Sequence, residues 1–313
     1  MDPVTHGLAG FLVGRGAFQE RWGLPATLAV TAGALAPDVD TLAFAWDQLA
    51  VLTYHRGLTH SLFGTPLLAL ATGGLLWILA GRRHYWRLGG LAALGIAIHI
   101  LLDLPTAFGT RVLYPFSMER FRLDLFYVMD PVVTGIMLVG LLAGWLWPQA
   151  RSFAMGTALG ALVVYAGLAF DLRMAAESRF RAAAATVKAT LDRVAILPRL
   201  GSPLAWRGVG VTPGGYVEGD IRLWKSPAVT IRHQRDPTLE SPVPPEVEAL
   251  EAVRRYRQFA RYPLAAVQRA GSRTVVAYQD LAFGPLGPSN DFYLTITLNG
   301  HGAVEAITFN HRF

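Results

Sequence analysis

The chain contains no cysteine, so disulfides and thiolate metal ligands are excluded and the redox compartment is unreadable. Charge is also scarce. Only 16% of its 313 residues are Asp, Glu, Lys or Arg, where a soluble domain carries about 25%. The shortage is concentrated: residues 61–80, 131–147 and 152–170 hold no charged side chain, and 88–102 hold only His99. Runs of about 17–25 apolar residues are what a hydrocarbon core of about 30 Å requires of a helix. With 52% hydrophobic residues and a mean hydropathy of +0.35, membrane embedding follows. Other things are missing too. There is no H-E-x-x-H, G-x-S-x-G or G-x-x-x-x-G-K-[ST], which disfavours metalloprotease, serine hydrolase and P-loop chemistry. The net charge of +6 comes from scattered arginines and forms no compact basic cluster or aromatic-basic ladder, so no nucleic-acid partner is expected. The start, MDPVTHG, lacks the positive charge of a signal peptide and reads as part of the mature fold.

What is present divides into three parts. Residues 1–171 read as an all-α polytopic membrane domain of about six helices, at 4–18, 24–37, 61–80, 88–105, 128–147 and 152–171. Residues 172–203 read as an Ala- and Arg-rich stalk or surface helix, helical over 172–197. Residues 204–313 read as a small soluble α+β domain, with a helix over Pro245–Phe259 and strands at Val209–Trp224, Ala228–His233, Thr274–Leu281 and Phe292–Leu298. Asn299-Gly300 is a tight-turn signal that pairs Phe292–Leu298 with Val304–Phe309.

The chemistry sits in short phrases of the membrane part. His6 opens the first helix, and Asp38 and Asp40 close the second. His55 and His60 open the third, His99 and Asp103 close the fourth, and Asp130 opens the fifth. Starts of odd helices and ends of even helices share a face when each helix crosses once, so all of these converge. His99 and Asp103, four apart on a helix, lie on one face and can share an ion. Asp38 and Asp40 flank Val39 after Pro37, where an extended turn points both carboxylates one way. His55 and His60 need a turn between them, which Gly57 can supply. A mixed imidazole and carboxylate shell suits a divalent metal, zinc first, with manganese or iron as alternatives. Ionisable residues are costly in a membrane and point to function. Asp130, before Pro131, reads equally as a helix cap. His84, His233, His301 and His311 fall elsewhere and are not expected to ligate. Arg56, next to a candidate ligand, is a candidate anion clamp.

The phrases DPVTHGLAG, LAPDVD, HRGLTHS and HILLD, in this order over about residues 1–170, resemble the YdjM-like family of bacterial and archaeal membrane proteins, catalogued as metal-dependent hydrolases and distantly similar to zinc phospholipase C. The resemblance implies that His6, Asp38, His55, His60, His99 and Asp103 match metal-binding positions. It also implies a cytoplasmic (inner) membrane location. No second His-x-x-x-Glu helix is present, which favours one or two ions over three.

The expected function is a multi-pass, membrane-bound, phospholipase C-like phosphoesterase. It would cleave a phosphoester or other ester of a lipid or lipid-linked substrate with metal-activated water. Asp40 would be a ligand or general base and Arg56 would hold a phosphate oxygen. The alternatives are a non-catalytic, metal-binding regulatory protein that recruits a partner through residues 204–313, or a cation transporter. Transport is disfavoured because the ionisable residues sit at helix ends rather than at the midplane. Arg15, Arg21, Arg82, Arg83, Arg87 and Arg151 on one face, against Arg56, Arg111, Arg120 and Arg122 on the other, place the Arg82-Arg83 loop in the cytoplasm. The metal site and the C-terminal domain are then expected to be extracytoplasmic.

Overall fold

A computed structural model describes residues 1–200, 202–235, 241–284 and 292–311. It divides into two units, one of residues 1–42, 54–175 and 198–205, the other of 43–53, 176–197 and 206–313.

The first unit is helical. Its long helices are α1 (Pro3–Val13), α2 (Leu24–Leu35), α3 (Gly64–Leu79), α4 (Tyr85–Asp103), α5 (Pro131–Leu146) and the first part of α6 (Arg151–Thr186). Local chemistry sets their starts. Asp2 caps α1 by accepting from the Thr5 N–H (3.0 Å), and Pro3 occupies the first turn, where it costs no hydrogen bond. Asp130 caps α5 the same way, accepting from Val132 and Val133 ahead of a Pro131 start. The structural reading of Asp130 is therefore the one realised, with its other oxygen accepting from the buried Tyr165 hydroxyl at 2.9 Å.

Length limits how many helices can cross a bilayer. With 11 and 12 residues, α1 and α2 reach only about 17–18 Å at about 1.5 Å per residue. Among the described residues, two helices are long and apolar enough to cross, Tyr85–Asp103 and Pro148–Thr186. A third is added if Ala50–His60 and Gly64–Leu79, bent by 78°, count as one broken span. The described residues thus support a helical region with two or three candidate spans, while the shorter apolar helices fall below that length. The apolar runs near the start are helical but short.

Small residues let the helices close on one another. A Cβ on Gly33 of α2 would lie 2.1 Å from the Ala92 carbonyl oxygen of α4, and one on Gly95 of α4 would lie 2.1 Å from that of Val30. This backbone-to-backbone crossing brings the C-terminal ends of α2 and α4 together, as small-residue interfaces do in membranes. Between α4 and α5 the chain folds over that end. Thr110 and Phe121 exchange backbone hydrogen bonds (both 2.9 Å), and the Arg111 N–H donates to the Arg56 carbonyl.

The second unit holds two four-stranded sheets, ordered β1-β2-β3-β4 and β5-β6-β7-β8. Their strands are β1 (Arg193–Pro198), β2 (Ala205–Thr212), β3 (Gly215–Arg222), β4 (Val229–Arg235), β5 (Pro263–Ala270), β6 (Arg273–Asp280), β7 (Phe292–Leu298) and β8 (Val304–His311). The expected pairing of Phe292–Leu298 with Val304–Phe309 is present and antiparallel. Its turn is longer than the Asn-Gly signal suggested: Asn299 accepts from His301 and Ala303, and Gly302 takes the positive φ of 81°.

Other expectations need correction. The stretch Val209–Trp224 is a hairpin, because Pro213-Gly214 breaks it. Pro245–Phe259 is a short turn of helix followed by α7 (Glu251–Phe259), and β1 and β5 were not foreseen. The helix expected over 172–197 ends earlier. It continues α6 to Thr186, and Arg193–Pro198 is a strand. Near the end of α6, Phe180 is fully buried against Gly208 and Gly219, where side chains would collide with its ring.

Candidate metal centre

The seven candidate ligand and acid–base residues meet at one end of the helical unit. His6 lies in the first turns of α1. Asp38 and Asp40 lie on the 3-10 run Ala36–Ala45 that continues α2. His55 follows the short helix Ala50–Thr53, His60 ends the 3-10 turn Leu58–His60, and His99 and Asp103 fill the last turn of α4. The turn between His55 and His60 is made differently from the expectation. Arg56 takes the positive φ (57°), while Gly57 is required for space, because a Cβ there would lie 2.8 Å from the Tyr54 carbonyl oxygen. His6, His60, His99 and Asp103 are fully buried.

Three groups of donors lie close enough to share an ion: His6, Asp38 and His99; His60, His99 and Asp103; and Asp38, Asp40 and His55. The tightest focus involves four atoms. His60 Nε2 is 3.0 Å from His99 Nε2, 3.5 Å from Asp38 Oδ1 and 3.5 Å from Asp103 Oδ2. His99 Nε2 is 3.6 Å from Asp38 Oδ1 and 3.4 Å from Asp103 Oδ2. A tetrahedral ion with ligand bonds of about 2.0–2.1 Å separates its donors by about 3.3 Å, close to these five separations.

Proton bookkeeping sharpens this. His99 Nδ1 lies 2.7 Å from the Ala34 carbonyl oxygen, which can only accept, so the proton of a neutral His99 is on Nδ1. Thr59 donates its hydroxyl to Asp40 (2.8 Å), so its oxygen is free to accept from His60 Nδ1 at 2.9 Å. Both Nε2 atoms are then lone pairs facing each other, beside two carboxylate oxygens. That is repulsive unless positive charge sits among them, either a proton on one imidazole or a metal ion. Moreover, Asp103 Oδ2 and both nitrogens of His6 are buried without a hydrogen-bond partner, although His6 Nε2 lies 3.3 Å from Asp103 Oδ1. The His6 ring stacks on His99 at 3.6 Å. Buried polar atoms are rarely left this way without a role. The donor set therefore fits a divalent cation.

Around this focus, other groups hold the donors in place. His55 Nδ1 donates to Asp40 Oδ1 (2.8 Å), and Asp40 Oδ2 accepts from Thr59 and from the Arg56 backbone N–H (3.2 Å). Burial alone would raise the Asp40 carboxyl, but His55 and His60 outweigh it and hold it well below the usual carboxylate range. Burial would likewise raise Asp38, yet the His60 hydrogen bond and the His99 and His6 rings bring it down to about 2. Arg56 directs Nη2 to Asp103 Oδ1 (2.8 Å) and Nη1 to Thr106 (2.8 Å), over the face of Phe108. The amino group of Met1 also contacts Asp103.

Several contributors were not foreseen. Thr59 could have been read from its place between ligands in HRGLTHS. The Ala34 carbonyl, Thr106, Phe108 and the buried Arg111 and Arg120 carry no such signal, since a buried loop arginine reads like an exposed one. His84 and His301 are exposed and far in sequence from the phrases, and the side chains of His233 and His311 lie outside the described residues.

The model of the YdjM inner membrane protein family matches residues 1–174, which include every residue of the centre. The chain belongs to the YdjM inner membrane protein family. A YdjM-type region thus makes up the helical part, and the β-rich residues lie beyond the match. The chain is also similar to the uncharacterized protein YfhP of Bacillus subtilis (strain 168), with 27% identity over 106 residues, 34% of this chain and 32% of that protein. The aligned stretch thus spans about a third of that relative's length. No solved structure matches the chain.

Proposed function

We propose that this YdjM-family chain is a membrane-bound, metal-dependent hydrolase that cleaves a phosphoester or other ester of a lipid or lipid-linked substrate. One observation carries the reading: His60 Nε2 and His99 Nε2, both buried, lie 3.0 Å apart, and each lies 3.4–3.6 Å from the buried Asp103 Oδ2 and the half-buried Asp38 Oδ1. Asp38, His60, His99 and Asp103 would hold the ion, zinc being the best match to such a set, with His6 or His55 available to a second. A divalent metal bound there supplies Lewis acidity towards an ester oxygen and lowers the pKa of water.

The remaining roles follow from the hydrogen bonds. Asp40 accepts from His55 Nδ1 and from Thr59, which in turn meets His60 Nδ1, and so orients both imidazoles. His55, fixed through Nδ1, presents Nε2 as a further donor or as the group that takes a proton from attacking water. Arg56 holds Asp103 in place, and its unpartnered Nε is what it can offer a phosphate oxygen. The test is elemental analysis of purified protein beside turnover on lipid phosphoesters, with and without chelator. Metal-loaded protein inert on a broad lipid and ester panel would remove the catalytic reading.

A second reading has its own support. Complete burial of His6, His60, His99 and Asp103 suits an ion that holds helices together in a regulatory protein. A protein whose fold melts on chelation, and which shows no turnover, would establish it.

A further inference from the structure

The loops that flank the metal centre are apolar where loops are ordinarily polar. Residues 61–63 link His60 to α3, and among them Leu62 and Phe63 are 58% and 49% exposed. Residues 112–118 (VLYPFSM) carry no charge, and among them Phe116 and Met118 are 79% and 63% exposed. The two segments form one patch: the Leu62 N–H donates to the Val112 carbonyl (2.9 Å), and the rings of Phe63 and Phe116 meet edge to face at 4.7 Å. The patch continues into the exposed Leu67 and Leu70 of α3, a helix within the bent candidate span. At the far end of α3 the contrast is sharp, since that loop is Gly81-Arg82-Arg83-His84, charged and exposed. Exposed apolar patches of this kind mark contact with a partner or a membrane. Continuity with the α3 face selects the membrane.

We propose that the tips of residues 58–63 and 112–118 dip into the bilayer beside the metal centre, forming a lipid-facing lip. His60 is two residues from Leu62, so a membrane-resident molecule crossing the lip arrives at the metal donors without leaving the leaflet. The insertion stands on the exposed loops alone. Its use as a substrate entrance rests on the proposed lipid hydrolase.

The chain has no cysteine, so single probes are clean. Phe116→Cys and, separately, Met118→Cys would be labelled with an environment-sensitive nitrobenzoxadiazole. Gly214→Cys, in the exposed β2–β3 turn, is the control. In nanodiscs of phosphatidylethanolamine and phosphatidylglycerol containing doxyl-labelled lipid, the labels at 116 and 118 should be quenched several-fold more than the label at 214. Equal quenching at all three positions overturns the lip. Metal analysis of the same samples separates the two ideas. Retained metal without quenching sinks the lip and leaves the centre intact, and quenching in a metal-free protein supports the lip while removing the hydrolase reading.

Discussion

At the scale of single residues, the centre depends on groups that cannot be exchanged for near relatives. His99 and Asp103 supply two of the four donors from one helix turn, His99 Nε2 lying 3.0–3.6 Å from the donor atoms of His60, Asp38 and Asp103, and Asp103 Oδ2 3.4–3.5 Å from those of His99 and His60. Replacing both by Ala should abolish stoichiometric metal while the protein still inserts, because α4 keeps its apolar length. Unchanged metal content by elemental analysis would remove the pair from the ligand set. Arg56 tests the layer behind. Its planar fork spans Asp103 and Thr106 at 2.8 Å each, and a lysine ammonium cannot make both bonds at those positions. Groups that orient ligands are worth about 10–100-fold in metal affinity. Arg56→Lys should therefore weaken metal binding by about that factor in a competition titration, and equal affinity would show that Asp103 needs no such support. The residues behind these predictions were readable from the sequence because His and Asp are conspicuous in apolar surroundings. Their supports were not readable: a backbone carbonyl such as that of Ala34 has no signature, and Arg120 looks like any loop arginine until its burial is seen.

At the scale of elements, the centre is assembled by one helix crossing. With Gly33 and Gly95 each within 2.1 Å of the opposing backbone once a Cβ is added, α2 and α4 cannot keep their separation if either glycine grows. Gly95→Val should push the helices apart, at a cost of about 1–3 kcal/mol by the usual measure of overpacking. Asp38 follows α2 and His99 rides on α4, so metal affinity should fall even where the protein remains folded. Folded, metal-replete Gly95→Val by circular dichroism and elemental analysis would contradict the account of the crossing. The sequence showed the apolar helices well, since hydropathy and Pro or Gly boundaries are local. It could not give their lengths, because an apolar run of 11 or 12 residues looks like part of a span whether it faces lipid or a neighbouring helix. The β-rich part was read unevenly for a related reason. Phe292–Leu298 alternates cleanly and was seen, whereas the buried run of β1 follows an Ala-rich helix and merges with it.

At the scale of the whole molecule, the open question with a definite physical answer is which side of the membrane holds the centre. The helix α4 has 19 residues, about 28 Å at about 1.5 Å per residue, close to a hydrocarbon core of about 30 Å. Its N-terminal end follows the loop Gly81-Arg82-Arg83-His84, and its C-terminal end carries His99 and Asp103. The two ends therefore lie on opposite faces. Arginines in a short loop bias that loop to the cytoplasm, and Arg82, Arg83 and Arg87 are all exposed there. The competing arginines on the metal side are largely inside the protein: Arg56, Arg111 and Arg120 are buried. Their charge serves Asp103, Phe108 and nearby carbonyls and does not mark an interface. That widens the margin over a bare count of six against four. The expected arrangement is the Arg82-Arg83 loop in the cytoplasm and the metal centre outside. If the shorter apolar helix α5 (Pro131–Leu146) returns the chain to the cytoplasmic face, the second long span, beginning near Arg151, carries the residues beyond it outside as well. Single cysteines at Gly81 and Gly214 in the cysteine-free chain, probed on intact cells with an impermeant thiol reagent, decide the matter. Labelling at 214 with protection at 81 is the expected result. Labelling at 81 alone would invert the protein and place the centre in the cytoplasm.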